Sequence, residues 1–164
     1  FDWALEVSEL APIIIDPNIR PAVMGDRDKY RESVEKWVSI SSVVKVSDDD
    51  LAWLYPDSDQ NEIAKRWIAG GVTLVVITRG AAGLIGITVE GAVEVPGVKV
   101  DVVDTVGAGD TVGAIVVEAM VEKGILALTG DTLKEVLHRA AVAAGITCSR
   151  AGAQPPYKRE LKGV

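Results

Sequence analysis

The run Thr73-Leu-Val-Val-Ile-Thr78 sets the tightest limit on what this chain can fold into. Apolar side chains at consecutive positions point to both faces of a strand, so such a strand is stable only where both faces are covered. Shorter runs of the same kind precede it, Pro12-Ile-Ile-Ile-Asp16 and Ser42-Val-Val-Lys-Val46, and helical segments lie between them. Asp26 to Ser39 spaces Tyr30, Val34, Trp37 and Val38 at helical intervals with charges between, and Asn61 to Ala69 forms a second helix stopped by Gly70-Gly71. Between these, Ser47 and the acidic triplet Asp48 to Asp50 suit a helix N-terminus, with a short helix expected over Leu51 to Tyr55.

Downstream, Leu84 to Val89 and Ala92 to Val95 flank Glu90-Gly91 and predict a hairpin at a sheet edge. Ala108 to Lys123 is almost entirely apolar and ends at Gly124, and another helix is expected from about Thr132 to Thr147, so both are expected to be buried. Strands alternating with helices predict an α/β fold: an open, mostly parallel sheet with helices on both faces. The 164 residues are expected to form one region, 1–164. Trp3, Trp37, Trp53 and Trp67 fall on apolar helical faces and are expected to pack there.

Composition narrows the function. A net charge of −7 and a pI near 4.7 disfavour a nucleic-acid partner, which would call for clustered Lys and Arg. No apolar run approaches the roughly 20 residues of a membrane span, and Phe1 onward has no basic-then-apolar leader, so a cytoplasmic protein without a membrane partner is expected. The single cysteine, Cys148, lies in an Ala-rich helical stretch and is expected to be an inert core thiol. Lone His138 has no carboxylate placed near it by spacing, so a surface or core role is expected.

Chemistry concentrates in Asp104-Thr-Val-Gly-Ala-Gly-Asp110. Small residues there open an apolar helix, whose first backbone N–H groups are unpaired and approachable by an anion. Asp110 in that turn is explained equally by helix capping. The Lys-Ser/Thr ending of a Walker A loop and a Gly-x-Gly-x-x-Gly fingerprint are both missing.

The wider run closely resembles the C-terminal signature of PfkB-type, ribokinase-like carbohydrate kinases, Asp-Thr-x-Gly-Ala-Gly-Asp. The resemblance implies a three-layer α/β/α fold, here only in part, and an ATP-dependent sugar kinase. It implies that Asp110 is the base that takes the proton from the sugar hydroxyl. The Gly107, Ala108 and Gly109 amides would stabilise charge on the transferred phosphoryl group. Asp16-Pro-Asn-Ile-Arg-Pro21 is similar to a segment of fructokinase-like members, which puts Asn18 and Arg20 near the phosphates and makes fructose the favoured acceptor. 2-Keto-3-deoxygluconate, ribose and a nucleoside are the alternatives.

Ser47-Asp-Asp-Asp50 stands where the family has Asn-x-x-Glu, so the resemblance assigns Ser47, with Lys45 before it, to the nucleotide and Asp50 to Mg²⁺. A solvated helix cap explains the acidic triplet as well. Thr78-Arg-Gly-Ala-Ala-Gly83 matches a Thr-x-Gly-x-x-Gly turn at the nucleotide and is compatible with a plain tight turn, with Thr78, Gly80 and Gly83 as the assigned residues. Ser149-Arg-Ala-Gly-Ala153 resembles the segment near the adenine, including Gly152, and with Asp104 and Val106 the place where members hold a monovalent cation such as K⁺. Members of the family are about twice as long, so this chain is expected to be the C-terminal half and to need a missing N-terminal half or a homodimer partner. A competing reading is a non-catalytic nucleotide-binding or assembly domain, favoured by the altered Ser47 and Asp50 and by the missing half, and opposed by the intact Asp110.

Overall fold

The apolar runs become strands and the amphipathic runs helices in the computed structural model of the protein, which describes residues 1–164. In chain order the elements are α1 (Asp2–Ser8), β1 (Ile14–Ile15), α2 (Arg27–Val38), β2 (Val43–Ser47), α3 (Asp48–Leu54), α4 (Gln60–Ala69), β3 (Leu74–Thr78), β4 (Leu84–Thr88), β5 (Gly91–Val95), α5 (Ala108–Lys123) and α6 (Gly130–Cys148). The strands form one sheet in the order β1-β2-β3-β4-β5. β1 and β2 are parallel, with Ile14 opposite Val43 and Ile15 opposite Val44. The carbonyl of Ile13 accepts from the Ser42 and Val43 amides, and the carbonyl of Ser42 accepts in the same way from Thr73 and Leu74. β3 therefore starts beside β2 and runs parallel to it. The links β3–β4 and β4–β5 are too short for a crossover, so those neighbours are antiparallel. The sheet is mixed, with its parallel part first.

Two compact units divide the chain, residues Phe1–Ile77 with Ile87–Gly91, and residues Thr78–Gly86 with Ala92–Val164. The core of the first is the wholly buried row Val43, Val44 and Val46 of β2 with Leu74 to Ile77 of β3. Its helices are capped by their own sequence: Asp26 accepts from the Asp28 and Lys29 amides at α2, and Asp59 from Asn61 and Glu62 at α4. Glu35 of α2 ties three helices together, accepting from Tyr55 after α3 and from Arg66 and Trp67 of α4. Burial, then the Glu35 contact, pushes the Tyr55 hydroxyl well above its ordinary range.

In the second unit α6 lies flush on β4, since a Cβ on Gly86 would stand 2.9 Å from the Leu133 and Leu137 side chains. α6 also packs on α5, where Arg139 pairs with Glu118 at 3.0 Å and the Thr147 and Thr111 hydroxyls lie 2.9 Å apart. The expectation that α5 is buried all round is corrected: Thr111, Val112, Val116 and Ala119 are buried, while Val117 and Val121 face outward. Two further expectations change. Trp67 is buried and Trp37 and Trp53 are half-buried, but Trp3 is 75% exposed on the outer side of α1. Cys148 is not an enclosed core thiol but half-exposed, at the last turn of α6.

Candidate functional site

The turn into α5 is built by Gly107, which takes a left-handed φ of +80° and offers no side-chain cap. A Cβ at that position would stand 2.8 Å from the Ala153 Cβ, so both the backbone angle and the close approach call for glycine. The amide of Ala108 makes a long 3.3 Å bond to the Thr105 carbonyl, and the first in-helix bond runs from the Thr111 amide to Gly107. The amides of Gly109 and Asp110 between them are left open in the first turn, where the helix dipole favours a negative charge. Asp110 is exposed at the same turn.

Before the turn, Asp104 accepts from the Val106 amide at 3.0 Å and from the Gly152 amide at 2.9 Å. These bonds, with Val106 the larger influence and Gly152 next, hold its carboxyl below the usual carboxylate range. The loop after α6 is thus tied to the loop before α5.

A cavity of about 430 Å³ opens beside this turn, within the roughly 300–1,000 Å³ typical of small-molecule sites. Thr78, Gly80 and Gly83 line it on one side, Thr105, Ala108 and Gly109 on another. Gly83 has φ +101° and a Cβ there would fall 2.1 Å from the Val95 carbonyl oxygen, so this turn also depends on glycine. Five residues assigned from the sequence, Thr78, Gly80, Gly83, Ala108 and Gly109, therefore share one space. The sequence reading did not find the α6 wall, Ala141, Ala144, Gly145 and Cys148. Its small residues at helical spacing were the available signal. Burial, and then the charge of Asp104, pushes the Cys148 thiol up.

The other assigned residues lie in the first unit and form a closed set. Lys45 is buried on β2 and pairs with Asp16 at 2.6 Å, while Asp16 also accepts from the Asn18 amide at 3.2 Å. Asn18 is exposed with φ +45°, and the Arg20 guanidinium donates to the Ile19 carbonyl. Ser47 and Asp50 cap α3 reciprocally, and the second Asp50 oxygen accepts from the Ile19 amide at 3.0 Å. Asp16, which anchors Lys45, was not singled out from the sequence.

A divalent-metal cage is not preformed: no three His, Cys, Asp or Glu side chains gather at one point. Both oxygens of Asp50, and both of Asp104, already accept backbone N–H groups. A nucleotide fits better, because the cavity is largely apolar, its glycines let backbone come close, and the open amides of α5 stand at its rim.

The family profile described as pfkB family carbohydrate kinase matches residues 2–160. The chain belongs to this family. A fructokinase from Rhizobium leguminosarum bv. trifolii is 44% identical over 102 residues, covering 62% of this chain and 31% of that protein. The aminoimidazole riboside kinase from Salmonella enterica, solved with aminoimidazole riboside and an ATP analog, superposes with a TM-score of 0.81 at 25% identity, over 97% of this chain and 54% of that one. A fructokinase double mutant from Vibrio cholerae O395, with fructose, ADP and potassium ion bound, has a TM-score of 0.85 at 24% identity, over 98% of this pfkB-family chain and 53% of its own, a likeness of fold. The chain spans 31% to 51% of the length of the curated relatives it matches.

Proposed function

We propose that this chain is the nucleotide-binding, phosphoryl-transfer part of an ATP-dependent sugar kinase whose acceptor is fructose. The observation that carries the reading is the shared cavity: the Thr78–Gly83 turn and the Gly107–Asp110 turn, far apart in sequence, border one space of nucleotide size. In this reading the apolar wall with Gly145 and Gly83 holds the base and ribose, and Gly152 borders the adenine. When bound, ATP supplies the phosphoryl group that is transferred.

The open amides at the start of α5, with Gly107 and Ala108 shaping the turn, hold negative charge on the phosphoryl oxygens as it moves. Asp110 accepts the proton of the attacking sugar hydroxyl, which its exposure at the same turn permits. Asn18 and Arg20, on the loop that Lys45 and Asp16 anchor, and Ser47 are assigned to the nucleotide on the family resemblance alone. Val106 and Asp104 border the place assigned to a monovalent cation. No step is assigned to Mg²⁺ at Asp50, which is buried and spends its carboxylate on the Ile19 and Ser47 amides.

Fructose as acceptor draws support from the fructokinase named above, and a nucleoside from the Salmonella riboside kinase. A coupled ADP-release assay on the complete protein, across fructose, ribose, 2-keto-3-deoxygluconate and nucleosides, tests the reading. Fructose-dependent ADP release supports it; turnover with another sugar moves the acceptor. ADP binding with no turnover on any of them favours the non-catalytic domain.

A further inference from the structure

We propose that Thr147, in the last turn of α6, is a positioning residue for the Gly107–Asp110 turn and acts on it through Thr111. The inference rests on the kinase reading above and adds to it a residue that touches neither nucleotide nor sugar.

Thr111 and Thr147 are both buried, at 5% and 0% exposure. The Thr111 hydroxyl lies 2.8 Å from the Gly107 carbonyl oxygen and 2.9 Å from the Thr147 hydroxyl, which is itself 3.1 Å from the Ala143 carbonyl oxygen. Three contacts are thus shared by two hydroxyl protons. The mutual contact needs one of them, so only one of the two carbonyls can also be served. Each carbonyl also accepts the helical amide four residues on, Gly107 from Thr111 and Ala143 inside α6, so contact length decides, and the Ala143 contact is the longest of the three. The arrangement that uses the two shorter contacts has Thr147 donating to Thr111 and Thr111 donating to Gly107. A buried donor chain thus runs from α6 to the residue whose left-handed φ starts α5.

Gly107 is then held at two points by Thr111, by its amide at 2.9 Å and by its hydroxyl. A peptide unit is planar, so fixing the Gly107 carbonyl fixes the Ala108 N–H on its other side and the pitch of the first turn. The open amides of Gly109 and Asp110, and the Asp110 carboxylate, move with that plane. Ala153 packed against Gly107 and Asp104 bonded to Gly152 brace the same turn from the segment that follows α6. Thr147 is the member of this brace that can lose its bond without changing the backbone.

The test is steady-state kinetics of the complete protein carrying Thr147→Val, Thr147→Ser and Thr147→Ala. Thr147→Val should lower kcat by roughly tenfold or more, since small misplacements of reacting groups are costly, with the nucleotide KM changed by less than about twofold. Thr147→Ser, which keeps the hydroxyl, should restore most of the rate. Equal kcat in Thr147→Val and wild type, or equal losses in the Val and Ser variants, would overturn the proposal. If Thr147→Val does not fold, the ratio of Thr147→Ser to Thr147→Ala reads the hydroxyl instead. Nitrogen-labelled glycine gives a readout independent of turnover: the Gly107 and Gly109 amide resonances should shift in Thr147→Val and return in Thr147→Ser. Unshifted resonances sink the positioning role, whereas a wild-type protein inactive on every sugar sinks the kinase reading and leaves the resonances to judge this one.

Discussion

Two helices of this chain begin in opposite ways. At α3, Ser47 and Asp50 satisfy each other's backbone amides, Asp50 reaches on to Ile19, and three aspartates fill the first turn. At α5, Gly107 brings no side chain, Asp110 is the single acid, and the Gly107, Gly109 and Asp110 amides find no acceptor. A side-chain cap stabilises a helix by about 1 kcal/mol, and glycine in its place forgoes only a few tenths of that. The cost of an open start is therefore small, and what it gains is room for an external anion. The difference teaches that an acidic helix start is a poor sign of function when its carboxylates are already used, and a better one when they are not.

The sharpest way to break this contrast is at its two aspartates. Asp110→Asn should cut sugar-dependent turnover by roughly 10²–10⁴-fold while leaving ADP affinity near wild type, as measured by a coupled assay beside nucleotide titration. Retained turnover would remove the base assignment. Asp50→Ala should act the other way, costing about 1–3 kcal/mol in urea unfolding because two amides lose a buried acceptor. Turnover per folded molecule should change far less than at Asp110, and a selective loss of turnover without a stability loss would make the α3 start functional.

Gly107→Ala sharpens the contrast from the backbone side. The left-handed angle alone should cost about 1–2 kcal/mol, and the crowding against Ala153 should weaken ADP binding as well. Unaltered binding would mean that the turn is not where the nucleotide phosphates sit. The smallest effect concerns Asp104. Its folded pKa is depressed, so the stability it contributes is present above the ordinary carboxylate pKa and is lost as pH falls through the folded value. Melting curves between roughly pH 5 and pH 2 should fall more steeply for wild type than for Asp104→Asn. Glu160, depressed by the Tyr157 amide and by Arg150, adds to the slope in both proteins, and parallel curves would mean that the Asp104 bonds contribute nothing.

Much of the architecture was legible because it rests on local patterns. Ala108 to Lys123 emerges as α5 with the expected bounds, since a glycine stands at each end and no polar break lies between. The helix after β2 starts three residues earlier than expected, at Asp48, because Ser47 is the cap and draws the acidic triplet into the first turn. β1 is only Ile14–Ile15, as the prolines at positions 12 and 17 shorten the run from both ends. In the candidate site, the signature and the glycine turn could be read from spacing. The Lys45–Asp16 pair, the α6 wall and the Thr111–Thr147 contact could not, because each joins residues 29 or more positions apart or depends on which side of a helix faces a neighbour.

The division of the molecule has a consequence for anyone who would trim it. The chain leaves the first unit after Ile77, returns for Ile87–Gly91, and leaves again at Ala92. Neither unit is one uninterrupted stretch of polypeptide. A stop codon or a protease cut placed at the first boundary would strip the N-terminal piece of the five residues that complete it and leave them stranded on the other product. Gene fragments ending near position 77 should therefore yield insoluble or unfolded material, and the two units have to be made, and to fold, together.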